Sequence, residues 1–112
     1  MSKAQWLARL EAEDVGHPDL DRLATWLDLN SVPITDDISN VSDEEQEHYL
    51  GEYAGLGDFA EESMTNAYGY ELEALPTAIQ NAIDWPRVYD SYLRHDTIES
   101  ETDFGYHVWH AH

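Results

Sequence analysis

The stretch "DEEQEHYLGEYAGLGDFAEE", residues 43–62, combines dense negative charge with the marks of folded structure. Eight of its twenty residues are Asp or Glu, and none is Lys or Arg. Aromatic and leucine side chains are interleaved with the charge, whereas an acidic disordered tail has few aromatics. The stretch therefore predicts ordered structure that holds many like charges together.

Two helix starts are predicted in or next to this stretch. Ser42 and Glu45 have the spacing of a capping box, and Asp58 and Glu61 have the same spacing. The apolar residues of the first predicted helix are Tyr49, Leu50 and Tyr53. The second is predicted to run to about Tyr68, with an inner face of Phe59, Ala60, Met64, Ala67 and Tyr68.

On the N-terminal side, apolar residues at three- and four-residue spacing predict helices over residues 3–13 and 18–29. Their apolar faces are Trp6, Leu7 and Leu10 in the first helix and Leu20, Leu23, Trp26 and Leu27 in the second. Residues 30–40 contain Pro33 and a cluster of Asn, Asp and Ser, which predicts a loop.

On the C-terminal side, residues 75–83 predict a short helix and residues 84–96 a further helix. Asp84 is the expected N-cap of the latter, with Pro86 in its first turn. The short helix is expected to bury Ile79, Ala82 and Ile83.

After residue 96 the spacing of apolar residues changes from helical to alternating. Apolar and polar residues alternate in residues 97–101 and 106–112, on either side of "TDFG", which predicts a β-hairpin. The expected fold class is therefore α+β, mostly α-helical: a small acidic domain with a C-terminal β-hairpin. We expect an N-terminal helical segment over residues 1–40 and a C-terminal domain over residues 41–112, packed as one compact or elongated unit.

The whole chain is strongly acidic, with 24 Asp and Glu against five Lys and Arg and a formal net charge of -19. Such a charge repels nucleic acid and anionic membranes and attracts basic surfaces. No apolar segment approaches the roughly 20 residues of a membrane span, and the first residues lack the apolar run of a signal peptide. With no cysteine, the chain suits the cytoplasm, and the expected partner is a basic protein rather than nucleic acid or membrane.

The charge is uneven, because fourteen carboxylates and no Lys or Arg lie between Arg22 and Arg87. Like charges three or four positions apart on a helix repel by a few tenths of a kcal/mol. Three explanations compete: a solvated surface that confers only solubility, a calcium or magnesium site, and mimicry of nucleic acid. Residues 36–45, "DDISNVSDEE", offer oxygen ligands but lack the spacing of a calcium-binding loop.

Mimicry has a direct physical basis, since duplex DNA presents one negative charge per about 1.7 Å of its axis. Carboxylates fixed on helices can imitate such an array and occupy the basic groove of a DNA-binding protein. Charge would then steer association, and the aromatic scaffold would supply rigidity.

Residue types found in catalytic and metal sites occur without the spacing that such sites require. The sequence has no nucleophile elbow, P-loop or H-E-x-x-H motif, and carboxylate pairs are expected by chance among 24. The terminal histidines, which can bind transition metals adventitiously, are expected to be a frayed strand: His107, His110 and His112. The other histidines are expected to be capping or surface residues: His17, His48 and His95. We therefore expect a non-enzyme with no cofactor and no metal.

Three segments carry a resemblance to a known family. "YLGEYAGLGDFAEE", residues 49–62, resembles the Y-x-G-E-Y-x-S-x-x-D-F-A-E-E stretch of ArdA-type antirestriction proteins. "LPTAIQNAIDWPRVYDSYLRHD", residues 75–96, and "GYHVWHAH", residues 105–112, resemble two further segments of that family, and order and spacing agree from about Leu23 to the C-terminus. Trp85 stands where the family usually has a Tyr-like aromatic, and residues 1–18 do not resemble the additional N-terminal domain of longer members.

ArdA-type proteins are DNA mimics of plasmids, transposons and phages that occupy the DNA groove of type I restriction–modification enzymes. The resemblance implies the same action here, on a type I enzyme or, for a shortened mimic, on a CRISPR effector with a similar basic groove. Because typical members are elongated dimers, it also implies a homodimer. A different class stays open: an acidic interaction or regulatory module that binds a basic partner without imitating DNA.

Under the mimicry reading, twelve carboxylates stand for backbone phosphates and bind the partner: Asp36, Asp37, Asp43, Glu44, Glu45, Glu47, Glu52, Asp58, Glu61, Glu62, Glu71 and Glu73. Four aromatic residues are the expected structural anchors: Tyr49, Tyr53, Phe59 and Trp85.

Overall fold

The structure is a computed structural model, and it describes residues 2–34 and 37–111. Its helices and strands are, in chain order, α1 Lys3–Ala12, α2 Leu20–Leu29, α3 Val41–His48, β1 Tyr49–Tyr53, α4 Leu56–Glu73, α5 Thr77–Asn81, α6 Trp85–Val88, β2 Thr97–Glu101 and β3 Tyr106–His110. A π-helical segment, Tyr89–Leu93, and a 3₁₀ turn, Arg94–Asp96, lie between α6 and β2. The expected α+β class, mostly helical with a C-terminal β-hairpin, is confirmed. Packing divides the chain into two units, Met1–Tyr49 and Leu50–His112.

The first unit is built on α1 and α2, which form where the spacing of apolar residues predicts them. Ser2 and Gln5 form a capping box at the start of α1, and the Asp19 side chain caps α2 by accepting from the Arg22 backbone N–H. The buried side chains of the two helices are Trp6, Leu10, Leu23, Ala24, Trp26 and Leu27. The two predicted helices are thus confirmed, while Leu7 and Leu20 are only half-buried.

Helix α3 begins one residue earlier than predicted, and the predicted capping box is wrong. Its N-cap is Asn40, which makes no side-chain capping bond. The Ser42 hydroxyl instead donates to the carbonyl of Gly16 at 2.7 Å. Glu45, the other half of the predicted box, is fully buried. The helix ends at His48, so it does not continue through Tyr53 as predicted.

The segment Tyr49–Tyr53 is a strand, which corrects the predicted helix. The sheet has the order β1-β3-β2, and β2 pairs with β3 in the antiparallel register from Thr97↔His110 to Glu101↔Tyr106. The predicted hairpin is therefore confirmed, and β1 is a third strand beside it. Gly51 has a φ of +138°, a conformation that other residues rarely adopt within a strand.

Helix α4 begins at Leu56 with Gly55 as N-cap and extends beyond the predicted end, to Glu73. Phe59 and Ala60 are buried as predicted and form the core of the second unit with Tyr89 and Val108. Tyr68 has non-helical angles, φ -130° and ψ 31°, which interrupt the regular helix of α4. Ala67 and Tyr68 are exposed, which corrects the predicted inner face.

The short helices after α4 bury less than predicted. Helix α5 has five residues, and both Ile79 and Ala82 are exposed. Asp84 caps α6 by accepting from the Arg87 backbone N–H, and Pro86 lies in the first turn as predicted. Within the described residues, no helix combines the length and the apolar character needed to cross a membrane.

Candidate interaction surface

The structure describes eleven of the twelve predicted carboxylates, because Asp36 lies outside the described residues. Glu45 is buried, and the other ten are exposed: Asp37, Asp43, Glu44, Glu47, Glu52, Asp58, Glu61, Glu62, Glu71 and Glu73. Within residues 2–34 and 37–111, none of these ten takes part in an ion pair. We call these ten residues the exposed carboxylate set.

Glu45 does not belong to any partner-binding surface, because it is the centre of a buried polar cluster. Arg22 donates from Nη2 to Glu45 Oε1 at 2.7 Å and from Nε to Oε2 at 2.8 Å. His17 Nδ1 accepts from the Asp19 backbone N–H, so its Nε2 carries the proton that faces Glu45 Oε1 at 3.1 Å. The side chains of His17 and Glu45 are fully buried, which corrects the expectation that His17 is a capping or surface residue only.

Tyr49 closes this buried cluster from one side, as the Arg22 guanidinium lies 3.8 Å from the centre of the Tyr49 ring. Burial alone would lower the pKa of Arg22, but the hydrogen bonds and charge of Glu45, helped by Tyr49 and Asp19, raise the pKa above its ordinary value. The cation is therefore permanent, and it supplies Glu45 alone with the countercharge that residues 23–86 lack. Tyr49 acts as an anchor here by covering an ion pair.

The first unit presents four members of the exposed carboxylate set. Asp43 and Glu44 lie in the first turn of α3, where negative charge interacts favourably with the helix dipole and stabilises the helix. Glu47 lies near the C-terminal end of α3, where the same interaction is unfavourable. The Ser39 backbone N–H donates to Asp37 Oδ1 at 2.9 Å, and this bond lowers the pKa of the Asp37 carboxyl.

The second unit presents the other six, five of them on α4. Asp58 lies in the first turn of α4, with Glu61 and Glu62 three and four positions further along. Glu71 and Glu73 lie in the last turn, which contains no basic residue and faces the negative end of the helix dipole. Glu52 on β1 is tied to the hairpin turn, because the Thr102 hydroxyl donates to Glu52 Oε2 at 2.7 Å.

The charge density of α4 is lower than that of DNA. The helix has 18 residues, so its axis is about 27 Å long, and its five carboxylates give about one charge per 5 Å. Duplex DNA has one charge per about 1.7 Å, or about 3.4 Å for a single strand. The charge density of α4 is therefore below that of a single DNA strand, and other carboxylates must contribute if the protein is to match the charge density of duplex DNA.

Two of the predicted aromatic anchors, Tyr53 and Phe59, pack together in the second unit. The Phe59 ring meets Tyr53 edge-on at 5.2 Å between centroids and Tyr89 at 6.0 Å. The buried Tyr89 hydroxyl donates to Glu99 Oε2 at 2.8 Å, and burial raises the pKa of Tyr89 to about 12. Trp85, the fourth predicted anchor, is only half-buried.

An apolar groove of about 410 Å³ on the second unit was not predicted from the sequence. Tyr68 and Tyr92, which line it, are 54% and 71% exposed. The signal was present in the sequence, since "LPTAIQNAIDWPRVYDSYL" carries more apolar residues than helices of four and five residues can bury.

The described part of the chain offers no group of three or more His, Asp or Glu residues arranged to hold a metal ion. His107 lies beside Trp109 on β3, with ring centroids 5.8 Å apart, and His110 is exposed. His112, the remaining member of the predicted terminal cluster, lies outside the described residues.

A scan against models of protein families, a search of curated proteins and a search of solved structures each found no match to this chain. The resemblance to ArdA-type proteins therefore stays a prediction that depends on the three quoted segments.

Proposed function

We propose that this protein is an acidic DNA mimic that inhibits a DNA-binding host defence enzyme by occupying its DNA groove. The observation that carries the proposal is the exposed carboxylate set, in which ten folded-state carboxylates have no ion pair within the described residues. A basic groove that binds phosphates provides the cations that these carboxylates lack.

The positions of three carboxylates support the proposal further. Glu47, Glu71 and Glu73 lie near helix C-termini, where negative charge reduces helix stability. Solubility alone is served equally well by carboxylates at N-termini. A role in binding gives a reason to keep charge where it destabilises the fold.

The first target under this proposal is a type I restriction–modification enzyme, and the second is a CRISPR effector, whose nucleic-acid channel is also basic. The inhibitor would act in the cytoplasm of the host cell, one copy for each groove. It would need no cofactor and would perform no chemistry on its partner.

Inhibition assays with position-matched variants test the proposal. DNA cleavage by each enzyme is measured against the wild type and against Glu61→Gln/Glu62→Gln/Glu71→Gln/Glu73→Gln. The control, Glu11→Gln/Asp14→Asn/Glu101→Gln/Asp103→Asn, changes the net charge equally at exposed residues outside the set. We expect the first variant to inhibit about tenfold more weakly and the control to match the wild type. Equal behaviour of the two variants, or no inhibition of either enzyme, would contradict the proposal.

A second candidate is an acidic module that binds a basic partner outside its DNA groove. The low charge density of α4 favours this second candidate, because a module that binds outside the DNA groove does not need carboxylates at the spacing of DNA phosphates. Saturating duplex DNA separates the two: it blocks the binding of a mimic and leaves the binding of such a module unchanged.

A further inference from the structure

The apolar groove lies between the second half of α4 and the segment that contains α6. Six of the residues that line it are Met64, Tyr68, Leu72, Trp85, Val88 and Tyr92. The three from α4 are spaced four residues apart and lie on both sides of the kink at Tyr68. A groove lined by apolar residues of two segments is the kind of surface on which an amphipathic helix lays its apolar face.

The groove is open to solvent. Tyr68 interrupts the helical angles of α4, and Ile79 on the five-residue helix α5 is 52% exposed and does not line the groove. The two tyrosine residues at the groove, Tyr68 and Tyr92, are each more than half exposed. Burying such rings against a partner is favourable, and exposed aromatic side chains of this kind are typical anchors of protein interfaces.

An acidic hollow adjoins the groove at Trp85. This hollow, about 260 Å³ in volume, is lined by Asp58 and Glu61 as well as by Trp85 and Pro86. Gly57 allows the close approach, because a Cβ at this position would lie 2.8 Å from the Pro86 ring. An apolar side chain in the groove and a cation in the hollow would thus lie on either side of one tryptophan.

We infer that the groove is a docking site for a protein segment with apolar side chains at helical spacing and an adjacent Lys or Arg. The apolar side chains pack on Tyr68, Trp85 and Tyr92, and the cation binds at Asp58 and Glu61, as an amphipathic helix does in a groove. A second copy of this chain fits less well, because Leu50–His112 carries twelve acidic residues and two arginines. The inference goes beyond DNA mimicry and does not depend on it.

Three synthetic peptides of about 18 residues test the docking site by fluorescence polarisation at about 150 mM salt. The first has Leu at helical spacing with flanking Lys, the second replaces Lys with Glu, and the third replaces Leu with Ser. We expect the first to bind at one-to-one stoichiometry with a Kd at least about tenfold lower than the other two. Equal binding of the Leu and Ser peptides would mean attraction by charge alone, and failure of the first peptide to bind would overturn the inference directly.

Variants on the same helix supply matched controls. Tyr68→Ser should weaken binding of the first peptide by about tenfold, and Tyr70→Ser should not, because Tyr70 is 90% exposed and lies outside the groove. Glu61→Gln should weaken it by a few-fold, and Glu62→Gln should leave it unchanged. Equal effects within either pair would contradict the docking site, provided that circular dichroism shows folded variants.

Sedimentation velocity of the protein alone tests whether a second copy of the chain occupies the groove. We expect no self-association through the groove. A dimer that Tyr92→Ser dissociates and Tyr70→Ser does not would assign the groove to a second copy and overturn the inference. None of these readouts uses DNA, so the docking site and the proposed mimicry can fail separately.

Discussion

Glu44 and Glu45 are adjacent residues of the same type with opposite environments. Glu44 is exposed on α3, whereas Glu45 is fully buried against Arg22 and His17. Composition and capping rules treat the two alike, and only the position of Arg22 on another helix distinguishes them. The burial of a carboxylate is a tertiary property, so the local sequence did not reveal it.

Glu45→Ala should destabilise the protein by about 3–5 kcal/mol, because it leaves the Arg22 cation without its partner in a mostly buried site. Glu44→Ala is the matched control and should change the free energy of unfolding by less than about 0.5 kcal/mol. Urea denaturation followed by circular dichroism measures both. Similar stabilities of the two variants would show that the buried cluster does not hold the first unit together.

Tyr89 makes the stability of the protein depend on pH in the alkaline range. Its pKa is raised to about 12 by burial, so its stabilising effect is complete below its ordinary pKa of 10.0 and is lost as the pH rises through 12. The wild type should therefore lose about 2 kcal/mol more than Tyr89→Phe between these two pH values. If the free energies of unfolding of the two proteins changed equally over this pH range, the raised pKa of Tyr89 would not be the cause of the pH dependence.

Gly105 controls the packing of the hairpin turn on β1. Its φ is +155°, and a Cβ there would lie 2.0 Å from the carbonyl oxygen of Tyr53. Gly105→Ala should lower the free energy of unfolding by at least about 2 kcal/mol, because backbone must move. Gly69→Ala, at a helical glycine with nothing within 4 Å, should raise it by up to about 1 kcal/mol. Thermal denaturation of both variants tests this, and a stable Gly105→Ala protein would mean that β1 and the turn do not pack as described.

Helix α4 carries charge at the expense of its own stability. Glu71→Gln and Glu73→Gln should each stabilise the protein by about 0.3 to 1 kcal/mol at low salt, while Asp58→Asn in the first turn should destabilise it by a similar amount. Thermal denaturation at two salt concentrations checks the sign, and added salt should reduce every difference. A loss of stability in the two glutamine variants would remove the argument that these carboxylates are kept for binding.

Elements with a local signal were predictable, and elements that depend on distant partners were not. The spacing of Trp6 and Leu10 predicted α1, and the alternation on both sides of "TDFG" predicted the hairpin. The strand β1 was missed because Tyr49 and Tyr53 also fit a helical spacing, and its place in the sheet depends on β3, far along the chain. The kink at Tyr68 was not predicted, and the groove beside it was missed although residues 75–93 carry more apolar side chains than the short helices bury.

Of the twelve carboxylates that the sequence predicted at a partner-binding surface, ten are exposed and without an ion pair in the described part of the chain, because the long interval without Lys or Arg leaves few ways to pair them. The sequence does not predict which of them would bind a partner, and in a charged array no single carboxylate is expected to be essential. Neutralising any one of the ten should change inhibition by less than about twofold, whereas the four α4 substitutions together should weaken it about tenfold. Titration of DNA cleavage with single variants measures this, and one surface substitution that abolishes inhibition would indicate a specific site rather than an array.

The molecule as a whole has a charge of -19, so nearly any basic protein attracts it at low salt. Mimicry makes a narrower claim, that the protein and duplex DNA compete for one groove. Such competition requires that one protein molecule exclude DNA from one groove, which general attraction between opposite charges does not produce.

Displacement of labelled duplex DNA from a type I methyltransferase complex and from a CRISPR effector complex, at several salt concentrations, tests the claim most directly. Mimicry predicts complete displacement at near one protein per groove from at least one complex, with an affinity that falls steeply as salt rises. Binding of the protein without release of DNA, or no binding at low salt, would contradict it.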